Sequence, residues 1–115
     1  MGTYKDLDIW KLSIEIVIGV YSLTKTFPTE EKYGICSQIR RSVVSIPSNI
    51  AEGAGRRNKK ENLYFINIAL GSLSELDTQL IIVEKLNYCK SSKELEKLNH
   101  LKAKLLNYKK YVQKI

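Results

Sequence analysis

The chain has 115 residues, 43% apolar and 27% charged, which is one domain's worth of polymer and enough to bury a core without a disulfide or metal staple. Its two cysteines, Cys36 and Cys89, are far apart and form no CxxC pair, so two reduced structural thiols are expected over a disulfide framework or a reactive thiol. The net charge of +7 suggests either an anionic partner such as nucleic acid or well-solvated helix faces.

That charge is unevenly placed. Residues 90–115 hold eight lysines against Glu94 and Glu96, whereas residues 1–89 hold eleven cations against ten acids, with all four arginines between positions 40 and 57. The opening MGTYKDLDIW has no apolar stretch leading to a small-residue cleavage site, so no secretory signal is expected. The longest uncharged apolar-rich run, IVIGVYSL at 16–23, falls short of the ~18 residues of a membrane span. The expectation is a soluble cytoplasmic protein with residues 1–115 as a single domain and no membrane partner.

The first segment runs from about Asp6 to Thr26. Trp10, Ile14, Val17 and Tyr21 form one helical stripe, and Leu12, Ile16, Val20, Leu23 and Phe27 form another beside it. The β-branched run within it also suits a buried strand, and Gly19 costs a helix about 1 kcal/mol; length and amphipathic flanks favour the helix. Phe27-Pro28 ends it, because the residue before proline is pushed out of the α region.

Thr29 then reads as an N-cap, with Glu30 and Glu31 in the first turn of the second segment. Ile35, Ile39, Val43, Ile46 and Ile50 mark its dry face, and Gln38, Arg41, Ser45, Asn49, Glu52 and Arg56 mark a polar one. Pro47 lies inside the pattern, where it deletes an amide bond, so a kink is expected with Ser45, Ser48 or Asn49 serving the freed backbone groups. Gly53 and Gly55 are expected to stop the helix.

Asn58 and Glu61 have capping-box spacing and open a third segment, about Lys59–Asn87. From Leu63 to Leu86, fourteen of 24 residues are apolar, more than one bundle contact uses, so a second buried face against another copy is expected. Ala69, Gly71 and Ser72 permit close helix approach. Ser91 and Glu94 repeat the capping-box spacing and open a fourth segment, with Leu98, Leu101, Leu105, Tyr108, Val112 and Ile115 at coiled-coil intervals. Lysines flank that seam, Lys97, Lys102, Lys104 and Lys109 among them, either paired with Glu75, Asp77 or Glu84 or exposed. Four long helices joined by short loops predict an all-α, antiparallel up-down four-helix bundle.

The blocks FPxxExYG at 27–34, QIRR at 38–41, SIPxNIAEGxGR at 45–56 and IAxGSLxEL at 68–76 carry a resemblance. The chain resembles the bacterial four-helix-bundle family first noted as open reading frames in intervening sequences of large-subunit ribosomal RNA genes. Ser42 and Asn58 depart from the alanine and serine usual there. The resemblance implies a homo-oligomer, a pentamer. It also implies kinship with the accessory proteins of diversity-generating retroelements, whose attributed partners are nucleic acid and a reverse transcriptase.

Candidate chemistry concentrates at GAGRRN, which is neither a dinucleotide fingerprint nor a P-loop. The amides opening the third segment, with Arg56, Arg57, Lys59 and Lys60 beside them, form a phosphate site, a solvated basic turn or a protein contact. Lys102 and Lys109 extend the nucleic-acid-binding set. Arg40 and Arg41 are read as structural ion-pair partners of Glu52 or Glu75, inside the bundle or at a subunit contact, in preference to phosphate ligands. His100 stands alone on a lysine-rich helix, and the acids show no metal-ligand spacing. No catalytic residue, cofactor or metal is therefore expected. The leading function is a non-enzymatic oligomer binding RNA or DNA backbone; the rival is a scaffold ring that grips a protein partner.

Overall fold

The structure, a computed structural model, describes residues 2–115. Four helices account for most of them: α1 Asp8–Thr24, α2 Ile35–Ala54, α3 Lys59–Lys85 and α4 Ser92–Lys114. No strand occurs among the described residues. Each helix packs on its two neighbours in a closed square, α1 on α2, α2 on α3, α3 on α4 and α4 back on α1. With short connections this is an up-down-up-down bundle, elongated at 46 × 23 × 22 Å.

The first segment is helical, not extended, and begins after a single 3-10 turn at Tyr4–Asp6 in which Thr3 and Asp6 cap one another. Its inward face is Ile9, Ser13, Ile16, Val20 and Thr24. The stripe Trp10, Ile14, Val17 and Tyr21 is only half-buried, because it looks into the groove between α1 and α2 instead of the bundle axis.

α2 starts later than its sequence suggests. Thr29–Glu31 is a separate 3-10 turn, and Gly34 precedes α2 without any side-chain cap. Of the acids expected to sit on the helix dipole, Glu30 is exposed in that turn and Glu31 accepts from the Tyr88 hydroxyl at 2.8 Å. Together with the Phe27–Tyr88 ring contact, centroids 5.7 Å apart, this bond clasps the two loops at that end. Asn87, at φ 63°, closes α3 in the left-handed conformation that asparagine tolerates. The amides of Asn87 and Tyr88 return to the carbonyls of Glu84 and Val83, a Schellman ending.

α2 continues unbroken through the buried Pro47 to Ala54. Asn49 Nδ2 donates to the Ser45 carbonyl at 2.8 Å and to Ser45 Oγ at 2.9 Å. The carbonyl so served is that of Ser45, not that of Val43, which loses its amide to the proline.

At the fourth helix, the expected capping box does not form. Ser91 is fully buried, its amide donating to Glu84 Oε1 at 3.0 Å and its hydroxyl to the Leu80 carbonyl at 3.3 Å. Tertiary packing thus takes the cap residue for the α3–α4 contact. Leu98, Leu101, Leu105 and Val112 are essentially inaccessible, as are Ile39, Val43, Ile46 and Ile50 opposite, each worth roughly 1.5–3 kcal/mol of burial. α3 is long and apolar enough to cross a membrane by length and composition, yet Ile66, Ala69, Leu73, Leu76, Leu80 and Val83 bury its inner face in this core.

Two glycines exchange their expected roles. Gly53 does not end α2; it lies buried within it, and a Cβ there would stand 2.6 Å from Asn62 Oδ1, 3.0 Å from Phe65 Cβ and 3.1 Å from the Asn62 carbonyl. Gly71, expected at a close contact, has nothing within 4 Å of its missing Cβ. Substitution should therefore have opposite signs. Gly53→Ala is expected to lower the melting temperature, at a cost of about 1–3 kcal/mol from overpacking. Gly71→Ala is expected to stabilise the isolated bundle by about 0.5–1 kcal/mol, because alanine is the better helix former. Thermal unfolding of the two variants side by side checks this.

Candidate nucleic-acid interface

The corner between α2 and α3 spans four residues, Gly55–Asn58. Asn58 Oδ1 accepts the Glu61 amide at 2.8 Å and so fixes the start of α3. Bundle order then brings two other elements to the same end. Lys59 Nζ donates to the carbonyls of Gln113 and Ile115, both at 3.0 Å, which ties the start of α3 to the end of α4. Tyr4 shares a surface cleft with Ser48, Ala51 and Gly55 at the end of α2, and Leu7–Ile9 border another with Lys104 and Tyr108.

This juxtaposition merges charge that is separate along the chain. Segments 2–11, 52–62 and 104–115, which meet at this end, hold ten lysines and arginines against Asp6, Asp8, Glu52 and Glu61; the rest of the chain holds nine cations against eight acids. Almost the whole net charge sits on one end of a 46 Å body, which focuses a positive potential there.

The four cations of the corner are not equivalent. Arg56 forms the one ion pair among the described residues, 2.8 Å to Glu52, and its guanidinium lies 4.9 Å from the centroid of Phe65. Lys59 serves the end of α4, where a cation also complements the helix dipole. Arg57 and Lys60 are exposed and have no polar partner among the described residues. They stand at the positive end of α3, where cations are disfavoured and anions favoured, so their position gains the fold nothing. A cleft of about 280 Å³ opens beside Arg57, lined also by Arg56, Asn58, Lys59, Asn62, Val112 and Ile115. Asn62 Oδ1 is buried there without a hydrogen-bond partner.

Lys102 and Lys109 share one stripe of α4, and only Lys109 is near the corner. Lys102 lies twelve residues before Lys114, about 18 Å along the axis. Lys110 and Lys114, not singled out by sequence reasoning, are exposed at the end of α4. Phe65 was missed too. Its place nine positions after Arg56 gives no local signal, because the chain turns a corner between them.

The expected network of Arg40 and Arg41 with Glu52 and Glu75 is not made within the chain. Glu52 takes Arg56, its neighbour one turn on. Glu75 accepts from the Ser42 hydroxyl and from Gln79 Nε2, the latter at 3.4 Å. Arg41 is exposed. Arg40 reaches back to α1, where its Nε donates to Thr24 Oγ1 at 2.9 Å and its guanidinium lies 4.6 Å from the centroid of the Tyr21 ring. Cys89 is no activated thiolate: burial, then the nearby Glu84 and Glu94, push its thiol above the ordinary range.

A family model described as 23S rRNA-intervening sequence protein matches residues 5–110. No curated protein matches the chain.

The division of labour in the corner is measurable. Lys59→Met should cost roughly 0.5–1 kcal/mol and speed amide exchange over the last turn of α4, since two carbonyl contacts are lost at an exposed site. Lys60→Met should leave the exchange of α4 unchanged and, by removing a cation from the positive end of α3, raise stability slightly.

Proposed function

This chain belongs to the 23S rRNA-intervening sequence protein family, and from that premise we propose that it is a non-enzymatic, cytoplasmic protein that assembles with copies of itself and binds the backbone of RNA or DNA through the basic end of its bundle. The observation that carries this reading is the pair Arg57 and Lys60, exposed cations without polar partners placed where the α3 dipole opposes them. A phosphate bound at this end of α3 turns that repulsion into attraction. Cations at the end of α4 are explained by the helix dipole alone. These two are not.

Backbone contacts of this kind position a duplex or a strand without reading bases. Weak sequence preference and steep salt dependence follow. Log affinity against log salt should fall with a slope near −0.9 for each duplex phosphate contacted. Arg57→Ala/Lys60→Ala should reduce that slope by about two and weaken binding alike on all sequences. A filter-binding titration checks both, and a wild-type chain that retains no nucleic acid at low salt overturns the proposal.

Self-association is supported by apolar surface left outside the core. Ile18 is 64% exposed on α1, and Tyr64, Ile82 and Leu86 are 63%, 43% and 50% exposed on the outer face of α3. Between α1 and α2 a groove of about 330 Å³ is lined by Trp10, Ile14, Val17, Val44 and Pro47. Patches of this kind on a small domain mark contact surfaces. Two unlike faces favour a head-to-tail contact, which closes into a ring when the rotation permits; the number five rests on the family resemblance alone. Sedimentation should give about 66 kDa, five copies of 13.2 kDa, and a stable monomer at micromolar concentration would remove the assembly.

A further inference from the structure

At the opposite end of the bundle from the basic corner, the end of α1 and the start of α2 enclose a second cleft, of about 230 Å³, roughly eight water volumes. Phe27, Pro28 and Cys36 form its apolar part. Its polar lining is Thr24, Thr29, Lys25, Lys32 and Arg40. Three cations thus border one small cleft, and no carboxylate lines it. The nearest acids by sequence are Glu30, which is exposed, and Glu31, which is held by Tyr88.

Arg40 is the built part of this place. Its Nε–H donates to Thr24 Oγ1 at 2.9 Å, and Thr24, only 3% exposed, is itself held by donating to the Tyr21 carbonyl at 3.0 Å. Tyr21 supplies the ring that stacks with the guanidinium, 4.6 Å away. The group is therefore clamped on one edge and one face. Its two terminal amino groups make no hydrogen bond among the described residues, and they are the fork that binds an oxyanion in bidentate fashion. The carbonyls at the end of α1 have other partners, that of Leu23 accepting from Thr26 and that of Thr24 from the Phe27 amide, and they leave those amino groups unclaimed. A half-buried guanidinium with no counter-charge is costly unless an anion completes it.

We propose that this cleft is a phosphate-binding site, in which the terminal amino groups of Arg40 hold two oxygens of one phosphate group while Lys25, Lys32 and the Thr29 hydroxyl close around it. The ligand is a free phosphate or the phosphomonoester of a nucleotide; both present the same oxyanion. The site is independent of the basic corner, since α2 separates the two along its whole length.

Isothermal titration of inorganic phosphate into the full chain at low chloride and neutral pH tests it. The expected result is one saturable site per chain. Arg40→Gln should weaken it by at least about tenfold, as loss of a bidentate charged contact requires, and Lys25→Met/Lys32→Met by about threefold or more. Arg57→Ala/Lys60→Ala should leave it unchanged. Should Arg40→Gln unfold early, the lysine pair decides, because both side chains are exposed and lie outside the core. Adenosine monophosphate as a second probe separates the sources: tighter binding than phosphate identifies a nucleotide phosphate, equal binding a free anion. Absence of saturation up to about 10 mM phosphate, or loss of binding in the corner variant with retention in the Arg40 or lysine-pair variants, overturns the assignment.

Discussion

The close approach of α2 and α3 constrains everything else in the molecule. Gly53 passes beneath Asn62 and Phe65 with no room for a methyl group, and farther along Ser45 and Ser72 meet hydroxyl to hydroxyl at 2.8 Å. Small residues at the crossing let the two backbones come near enough that the corner between them is only four residues long. Within that seam the bundle is polar. Ser42 and Gln79 are buried at 4% and 7% exposure, and Glu75 joins them. The Ser42–Glu75 bond across the seam penalises any slip of α2 along α3, whereas Gln79 Oε1 is buried there without a hydrogen-bond partner.

From that corner follows the electrostatic asymmetry. Antiparallel order returns the end of α4 to the place where α3 begins, so the cations at 56–60 and those at 104–114 share one surface, while Arg40 lies toward the other end. Within it the physics sorts cations by task. Arg56 is neutralised by Glu52 and rests on Phe65, Lys59 completes the end of α4, and Arg57 with Lys60 is left facing solvent. A binding surface built this way has fixed and adaptable parts. The fixed cations define its shape, and the free ones supply charge to whatever arrives.

Much of this architecture was legible in the sequence. Periods of three and four in Ile35–Ile50 and Leu98–Val112 identified faces that the structure buries, and Asn58 caps α3 as its spacing with Glu61 indicates. Local rules failed where tertiary partners outbid them. Thr29 and Ser91 carry cap signatures, but the loop clasp at Tyr88 takes Glu31 and the α3–α4 contact takes Ser91. The apolar stripe from Trp10 to Tyr21 is as periodic as the core stripe beside it; which one turns inward depends on where α2 and α4 lie, and no spacing within α1 encodes that.

The candidate sites show the same division more sharply. Sequence located the cations at 56–60 and the polar side of α2, because charge and period are properties of a single segment. It could not say that Arg40 would find Thr24 and Tyr21 in place of a carboxylate, nor that Phe65 would lie beside Arg56. By itself the sequence determined four amphipathic helices, their order and the positions of their charges, since those depend on backbone propensity and on the 3.6-residue period. Only the tertiary structure decided which charges are neutralised, which are gathered at one end and which remain free, because Coulomb energy and hydrogen bonding depend on distances between helices that no single segment contains.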